Sequence, residues 1–188
     1  MCHLLNGCLE KIKSTTTQAN AVETKVSYGL RSDIFKDMWG AVLSAEPVKG
    51  LEVRWWTKAE AQAQISGHVE ELIEVVEELK SRSQYKQTMK SIKTLLSTEE
   101  NIELTKQQCL HVKAIATPII LLGKKYESND FNILDVEDDL NKLMDDLQDE
   151  EIKKRLPEGT EYNENIVKPV RQVSFAICWL CLLLMKLI

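Results

Sequence analysis

The chain reads as an all-α protein, an irregular helical bundle of about six helices with an apolar C-terminal helix. Three observations lead there. Apolar residues recur at three- and four-residue spacing along most of the 188 residues. Only seven Gly and four Pro punctuate them. Ser, Thr, Asn or Asp residues able to cap a helix precede several of the periodic stretches. With 44% hydrophobic and 28% charged residues, the composition is that of a globular chain with a core of its own.

The elements follow in order. From His3 to Lys13, Leu4, Leu5, Cys8, Leu9 and Ile12 share one helical face, and the cluster Ser14 to Thr17 interrupts the pattern. Ser32 and Asp33 can cap a second helix bearing Ile34, Phe35, Met38, Trp39, Val42 and Leu43. It ends before Glu46-Pro47, because the residue ahead of a proline avoids the helical region. Val48 to Val53 forms a linker containing Gly50. Thr57-x-x-Glu60 has the form of a capping box, and Ile65, Val69, Leu72, Ile73, Val76 and Leu79 continue one apolar face to the end of a long third helix. The outer face of that helix carries Glu70, Glu71, Glu74, Glu77 and Glu78, a solvated acidic surface that repels DNA.

Tyr85, Met89, Ile92, Leu95 and Leu96 define a fourth helix, and Ser97-x-x-Glu100 is a second capping box opening a fifth. The fifth runs through Leu104, Leu110 and Ile115 to Pro118, where a kink or stop is expected because proline lacks an amide donor, with Gly123 at its end. Asn129 and Asp130 cap a sixth, with Ile133, Val136, Leu140, Leu143, Met144 and Leu147 facing inward. Its many carboxylates lack the glycine and alternate ligand spacing of a calcium loop and read as a solvated face. Leu156-Pro157-Glu158-Gly159 closes the helical body. The organisation is thus a helical domain over 1–156, a linker over 157–172 and an apolar tail over 173–188.

Val173 to Ile188 carries Ser174 and Lys186 as its polar residues. It falls short of the roughly 20 residues a helix needs to cross a bilayer, although Lys186 could snorkel to the interface. Three readings stand open for it: a buried terminal helix, a tail anchor in an intracellular membrane, and an end placed out of context by truncation or altered splicing. Lys168 and Arg171 just before it suit the cytoplasmic flank of an anchor.

Charge narrows the partners. Against 24 basic residues stand 29 acidic ones, a net charge of -5, so no global basic field exists to hold a nucleic-acid backbone and any such contact is local. Five cysteines (Cys2, Cys8, Cys109, Cys178, Cys181) with no secretory leader ahead of them suit a reducing compartment, nuclear or cytoplasmic. Cys178-Trp179-Leu180-Cys181 sits among hydrocarbon side chains and reads as packing rather than as a redox or zinc pair. Cys109 and His111 could offer two metal ligands, but no second pair accompanies them. Phosphate-loop, nucleophile-elbow and metalloprotease motifs are absent. No catalytic residue, metal or cofactor is expected.

Arg54-Trp55-Trp56 is the most unusual cluster, a cation and two indoles ahead of a helix start. Two readings of it remain open. The indoles can anchor a core while Arg54 pairs with a carboxylate. Alternatively, an exposed indole beside an arginine makes a stacking platform for an unpaired base, with the guanidinium on the phosphate.

His3-Leu4-Leu5-Asn6 resembles the H-x-L-N segment that follows the second catalytic aspartate in the hAT superfamily of cut-and-paste DNA transposases. Arg31 to Trp39, a short linker, and Arg54-Trp55-Trp56-Thr57-Lys58 opening a glutamine-containing helix resemble successive elements of the same family. Glu127-Ser128-Asn129-Asp130 is similar to a polar turn in its insertion region. The similarity spans roughly residues 2 to 147. It implies that residues 1–156 correspond to the helical domain inserted in an RNase H-like nuclease, and that Arg54 and Trp55 inherit a contact with DNA near a flipped base. The first two metal-binding carboxylates of the family would lie upstream of His3, and the third has no counterpart before the tail. The resemblance therefore implies a non-catalytic derivative, an interaction module contacting DNA weakly or a protein partner through helical surfaces. The alternative class is a tail-anchored helical adaptor, held at a membrane by Val173 to Ile188.

Overall fold

The computed structural model describes residues 2–50, 55–80, 86–128 and 132–185, and among these residues every regular element is helical. The helices are α1 (Cys2–Thr15), α2 (Thr17–Gly29), α3 (Asp33–Leu43), α4 (Trp55–Ser66), α5 (Val69–Leu79), α6 (Lys86–Leu95), α7 (Glu99–Glu127), α8 (Val136–Asp146), α9 (Asp149–Arg155) and α10 (Glu164–Met185), with a 3₁₀ turn at Ile133–Asp135. The all-α class is as the sequence predicts. The helices outnumber the predicted six because α2 carries too few apolar residues to be recognised and two long periodic stretches are each broken in two.

The chain forms two compact units, one of Thr16–Lys113 and one of the residues on either side of it. The domain boundaries expected at 156 and 172 do not coincide with this division. A composition change at Val173 suggests a tail, whereas the helix that contains it already begins at Glu164.

In the unit of Thr16–Lys113, α2 packs on α4 and α6, and α5 on α3, α4 and α6. The core gathers Val22, Val26, Phe35, Trp39, Ile65, Leu72, Val76, Leu79, Met89 and Ile92. Val69, Leu72, Val76 and Leu79 recur at three- and four-residue spacing, so α5 buries one stripe and turns its glutamates outward. Two of these glutamates meet cations of neighbouring helices, Glu70 with Lys106 and Glu77 with Lys93. α3 starts as its sequence predicts, with the Ser32 hydroxyl accepting from the Phe35 amide at 3.2 Å. It ends at Ser44 in the left-handed region, φ 49°.

The long helix expected from Thr57 to Leu79 is two helices. α4 begins at Trp55, so Thr57 lies within its first turn rather than ahead of it, and Ser66 ends it. Gly67 and His68 then turn the chain, with the His68 amide donating to the Ile65 carbonyl and α5 starting after His68. Gly67 is a poor helix residue, but Ile65 and Val69 keep a four-residue spacing across the break and conceal it in the sequence. The His68 ring meets Trp39 edge-on, 6.4 Å between centroids.

α7 also departs from expectation. Its N-cap is Thr98, whose hydroxyl accepts from the Asn101 amide at 3.2 Å, one residue beyond the predicted Ser97. It neither stops at Pro118 nor at Gly123, and continues to Glu127.

The second unit is built on α10. Gly7 lets α1 approach it closely, since a Cβ at Gly7 would lie 3.3 Å from Ile177 Cδ1. Ile166, Val167, Val170, Ser174, Cys178, Cys181 and Leu182 are buried along α10, facing a core that includes Cys8, Ile12, Ile119, Val136, Leu140 and Leu143. The predicted sixth helix breaks at Leu147 and Gln148. α9 then opens with Asp149, Glu150 and Glu151 and closes with Lys153, Lys154 and Arg155, each sign at the end of the helix dipole that favours it. The capping pair Asn129 and Asp130 lies outside the described residues. Asp149 of α9 accepts from the Tyr162 hydroxyl at 2.5 Å and pairs with Arg171 of α10.

Candidate functional site

α2 places Glu23 and Ser27 one turn apart on its buried face. The Ser27 hydroxyl donates to Glu23 Oε1 at 2.6 Å and accepts from the Gly50 amide at 2.8 Å. Gly50 is there for space: a Cβ on it would fall 2.0 Å from Glu23 Oε1 and 3.1 Å from Lys58 Cγ. From α4, Gln64 holds the same linker a second time, accepting from the Val48 amide at 2.7 Å and donating to the Glu46 carbonyl at 3.1 Å. The segment Glu46 to Gly50 is therefore fastened to two helices although it has no regular structure of its own.

Over this floor opens a cleft of about 310 Å³, lined by Thr24, Tyr28, Arg31, Lys49, Gly50 and Lys58 together with Glu23 and Ser27. Among the described residues its cations come from three separate places in the chain: the turn after α2, the fastened linker, and the first turn of α4. The Arg31 guanidinium lies over the Tyr28 ring, 4.5 Å from its centroid, a cation–π contact at the rim. Arg31 and Lys49 are exposed and form no ion pair among the described residues. Glu23 has no exposed surface, so its carboxylate belongs to the buried base of the cleft rather than to its rim. Burial pushes the Cys109 thiol up, and the neighbouring charge of Glu23 adds to the effect.

Of the two predicted DNA-contact residues, Arg54 lies outside the described residues. Trp55 contributes the first residue of α4, but its side chain also lies outside them. Trp56 is half-buried. The side chains of His3 to Asn6 are likewise outside the described residues. Four residues separate Trp55 from Gly50 in sequence, while most of the cleft lining comes from α2 and the turn after it. Arg31 and Lys58 enter the sequence reading only as ends of segments in the family resemblance, and Glu23, Ser27 and Lys49 have no role in it. A usable signal did exist in α2, where Glu23 falls four residues after Ala19 and one after Val22, among positions that face the core.

The other chemical candidates are packing groups. Among the described residues no three His, Cys, Asp or Glu side chains converge as metal ligands do. His111 is buried with Nδ1 2.7 Å from the Gln107 carbonyl, so that nitrogen carries the proton, and burial holds the imidazole pKa down. Cys178 and Cys181 are buried on α10, and loss of solvent pushes the Cys178 thiol up to about 12, far from a reactive thiolate.

α10 has a second, outward face bearing Trp179, Leu180, Leu183 and Leu184, each about half exposed or more. Its stretch Glu164–Leu184 is long and apolar enough to cross a membrane by length and composition, with a mean hydropathy of 1.5.

Comparison of the chain with family models, with curated proteins and with solved structures finds no match in any of the three.

Proposed function

We propose that the protein is a non-catalytic derivative of a hAT-like transposase, acting in the nucleus or cytoplasm as a helical interaction module with a local contact to DNA. The observation that carries this reading is the sequence Arg54-Trp55-Trp56, which lies between Lys49 and Lys58 of the cationic cleft along the chain. In a chain of net charge -5, these cations supply the local attraction that a phosphate backbone requires, and the indole of Trp55 would offer a base its stacking face. Fluorescence anisotropy with a labelled hairpin and a labelled single strand tests it. Trp55→Ala should weaken binding by roughly ten-fold, the worth of one stacked base at about 1–3 kcal/mol. Binding that is absent at low salt, or that is indifferent to Trp55→Ala, removes the DNA role.

A second reading has its own support. The outward face of α10 and the apolar length of that helix favour a helical adaptor held at an intracellular membrane. Here the tagged full-length chain should stay with membranes through carbonate washing, and the combined change Trp179→Ser, Leu180→Asn, Leu183→Ser and Leu184→Asn should release it. A chain that is soluble in the first place ends this reading.

A further inference from the structure

We infer that the cleft lined by Arg31, Lys49 and Lys58 is a binding site for a phosphate group. The inference stands on the geometry and does not need the DNA reading. Surface cations usually stand apart, but these three line one concavity, and the linker beneath them is held by hydrogen bonds to α2 and α4. Ser27 and Gln64 fasten the linker that carries Lys49, while Gly50 brings that linker into contact with α2 and with the stem of Lys58. Tyr28 orients Arg31 at the rim. The linker that carries Lys49 and the guanidinium of Arg31 are therefore held before any ligand arrives, which lowers the ordering cost of binding. A guanidinium presents a planar fork to two phosphate oxygens and the ammonium groups add point charge.

Glu23 also lines the cleft, but it has no exposed surface and its Oε1 is engaged by Ser27, so an entering anion meets the exposed Arg31 and Lys49 before it meets this carboxylate. At about 310 Å³ the opening is at the low end of the roughly 300–1,000 Å³ usual for small-molecule sites, room for a phosphate and part of what it is attached to. Two sources offer the same chemistry: a phosphodiester of a nucleic-acid strand, and a free phosphate compound.

The test uses the full chain at low salt with two probes, sodium pyrophosphate followed by calorimetry, and a labelled oligothymidylate without terminal phosphate followed by anisotropy. Three variants accompany it: Arg31→Gln with Lys49→Gln; the single reversal Lys49→Glu, both on exposed positions; and, as a control of equal charge change outside the cleft, Lys86→Gln with Lys90→Gln. At least one probe should bind, lose ten-fold or more in affinity in both cleft variants, and stay within two-fold of the parent in the control. If the oligonucleotide is that probe, its salt slope should fall by roughly 1.4, two contacts at about 0.7 each, and the source is a nucleic-acid strand. If pyrophosphate alone behaves this way, the cleft holds a free phosphate and the DNA reading falls while this inference stands. Neither probe binding, or binding that falls equally in the control, overturns it.

Discussion

The Arg155 Nε lies 3.0 Å from the carbonyl oxygen of Ala114, the oxygen that Pro118, four residues further along α7, leaves without its helical donor. The same guanidinium donates to the Asp146 carbonyl at the end of α8. A proline inside a helix normally costs about 3 kcal/mol and kinks it. Here a side chain from α9 replaces the missing amide, and the helix runs on past the predicted stop.

That relationship predicts a coupling. Arg155→Leu should destabilise the chain by about 2–4 kcal/mol in urea unfolding, from the loss of charge-assisted bonds to two carbonyls that are partly buried. With Pro118→Ala in the background the backbone supplies its own donor, and the cost of Arg155→Leu should shrink by about 1 kcal/mol. Strict additivity of the two changes would show that Arg155 does not compensate for the proline.

The two glycines at Gly50 and Gly67 should respond oppositely to alanine. At Gly50 the new methyl has no space beside Glu23 and Lys58, and overpacking of this kind costs about 1–3 kcal/mol. At Gly67 nothing lies within 4 Å of the new methyl, and the loss of unfolded-state freedom should leave stability unchanged or raised by about 0.4–1 kcal/mol. Thermal unfolding of the two variants side by side checks this, and equal shifts would mean that Gly50 is not held where the structure places it.

Stability should carry an acid-dependent component from Asp149. Arg171, and after it the Tyr162 hydroxyl, hold the Asp149 carboxyl below the usual carboxylate range. A carboxylate depressed in the folded chain contributes fully above its unfolded value, and the contribution is lost as pH falls through the folded value. Asp149→Asn should therefore be less stable than the parent near pH 7, and the gap should close from roughly pH 5 downward, about one unit above the ordinary value near 3.9. A gap that is constant with pH would exclude Asp149 as its origin.

Thiol chemistry should be silent in the folded chain. Cys8, Cys109 and Cys178 have no exposed surface and Cys181 has 4%. In a Cys2→Ser background, an aromatic disulfide reagent should react with none of them until denaturant is added. Rapid native reaction of one thiol would show that its helix opens locally.

What could be read from the sequence divides along physical lines. α3, α6 and the apolar side of α8 are legible because their stripes are purely apolar and a turn residue stands at an end. α2 is not, because its buried face includes Glu23 and Ser27, which dilute the apolar period although both are inside. The break at Gly67 is concealed by matched spacing on its two sides. The persistence of α7 through Pro118 depends on Arg155, 37 positions away in sequence, and no local pattern reports such a partner. The cleft is hidden for the same reason, since Arg31, Lys49 and Lys58 are ordinary surface cations until the linker is fastened. Lys49 and Lys58 flank Arg54-Trp55 along the chain, while Arg31, Tyr28 and Glu23 come from α2 and the turn after it.

The two faces of α10 separate what folding requires from what it tolerates. Its thiols, Val167, Val170 and Ser174 are enclosed, and their loss would undo the unit they hold together. Trp179, Leu180, Leu183 and Leu184 are not enclosed, so the stability of the chain is nearly indifferent to them. A lineage under selection for folding alone would let these four drift toward polar residues first, which makes them the positions where variants of this chain would record any demand other than folding.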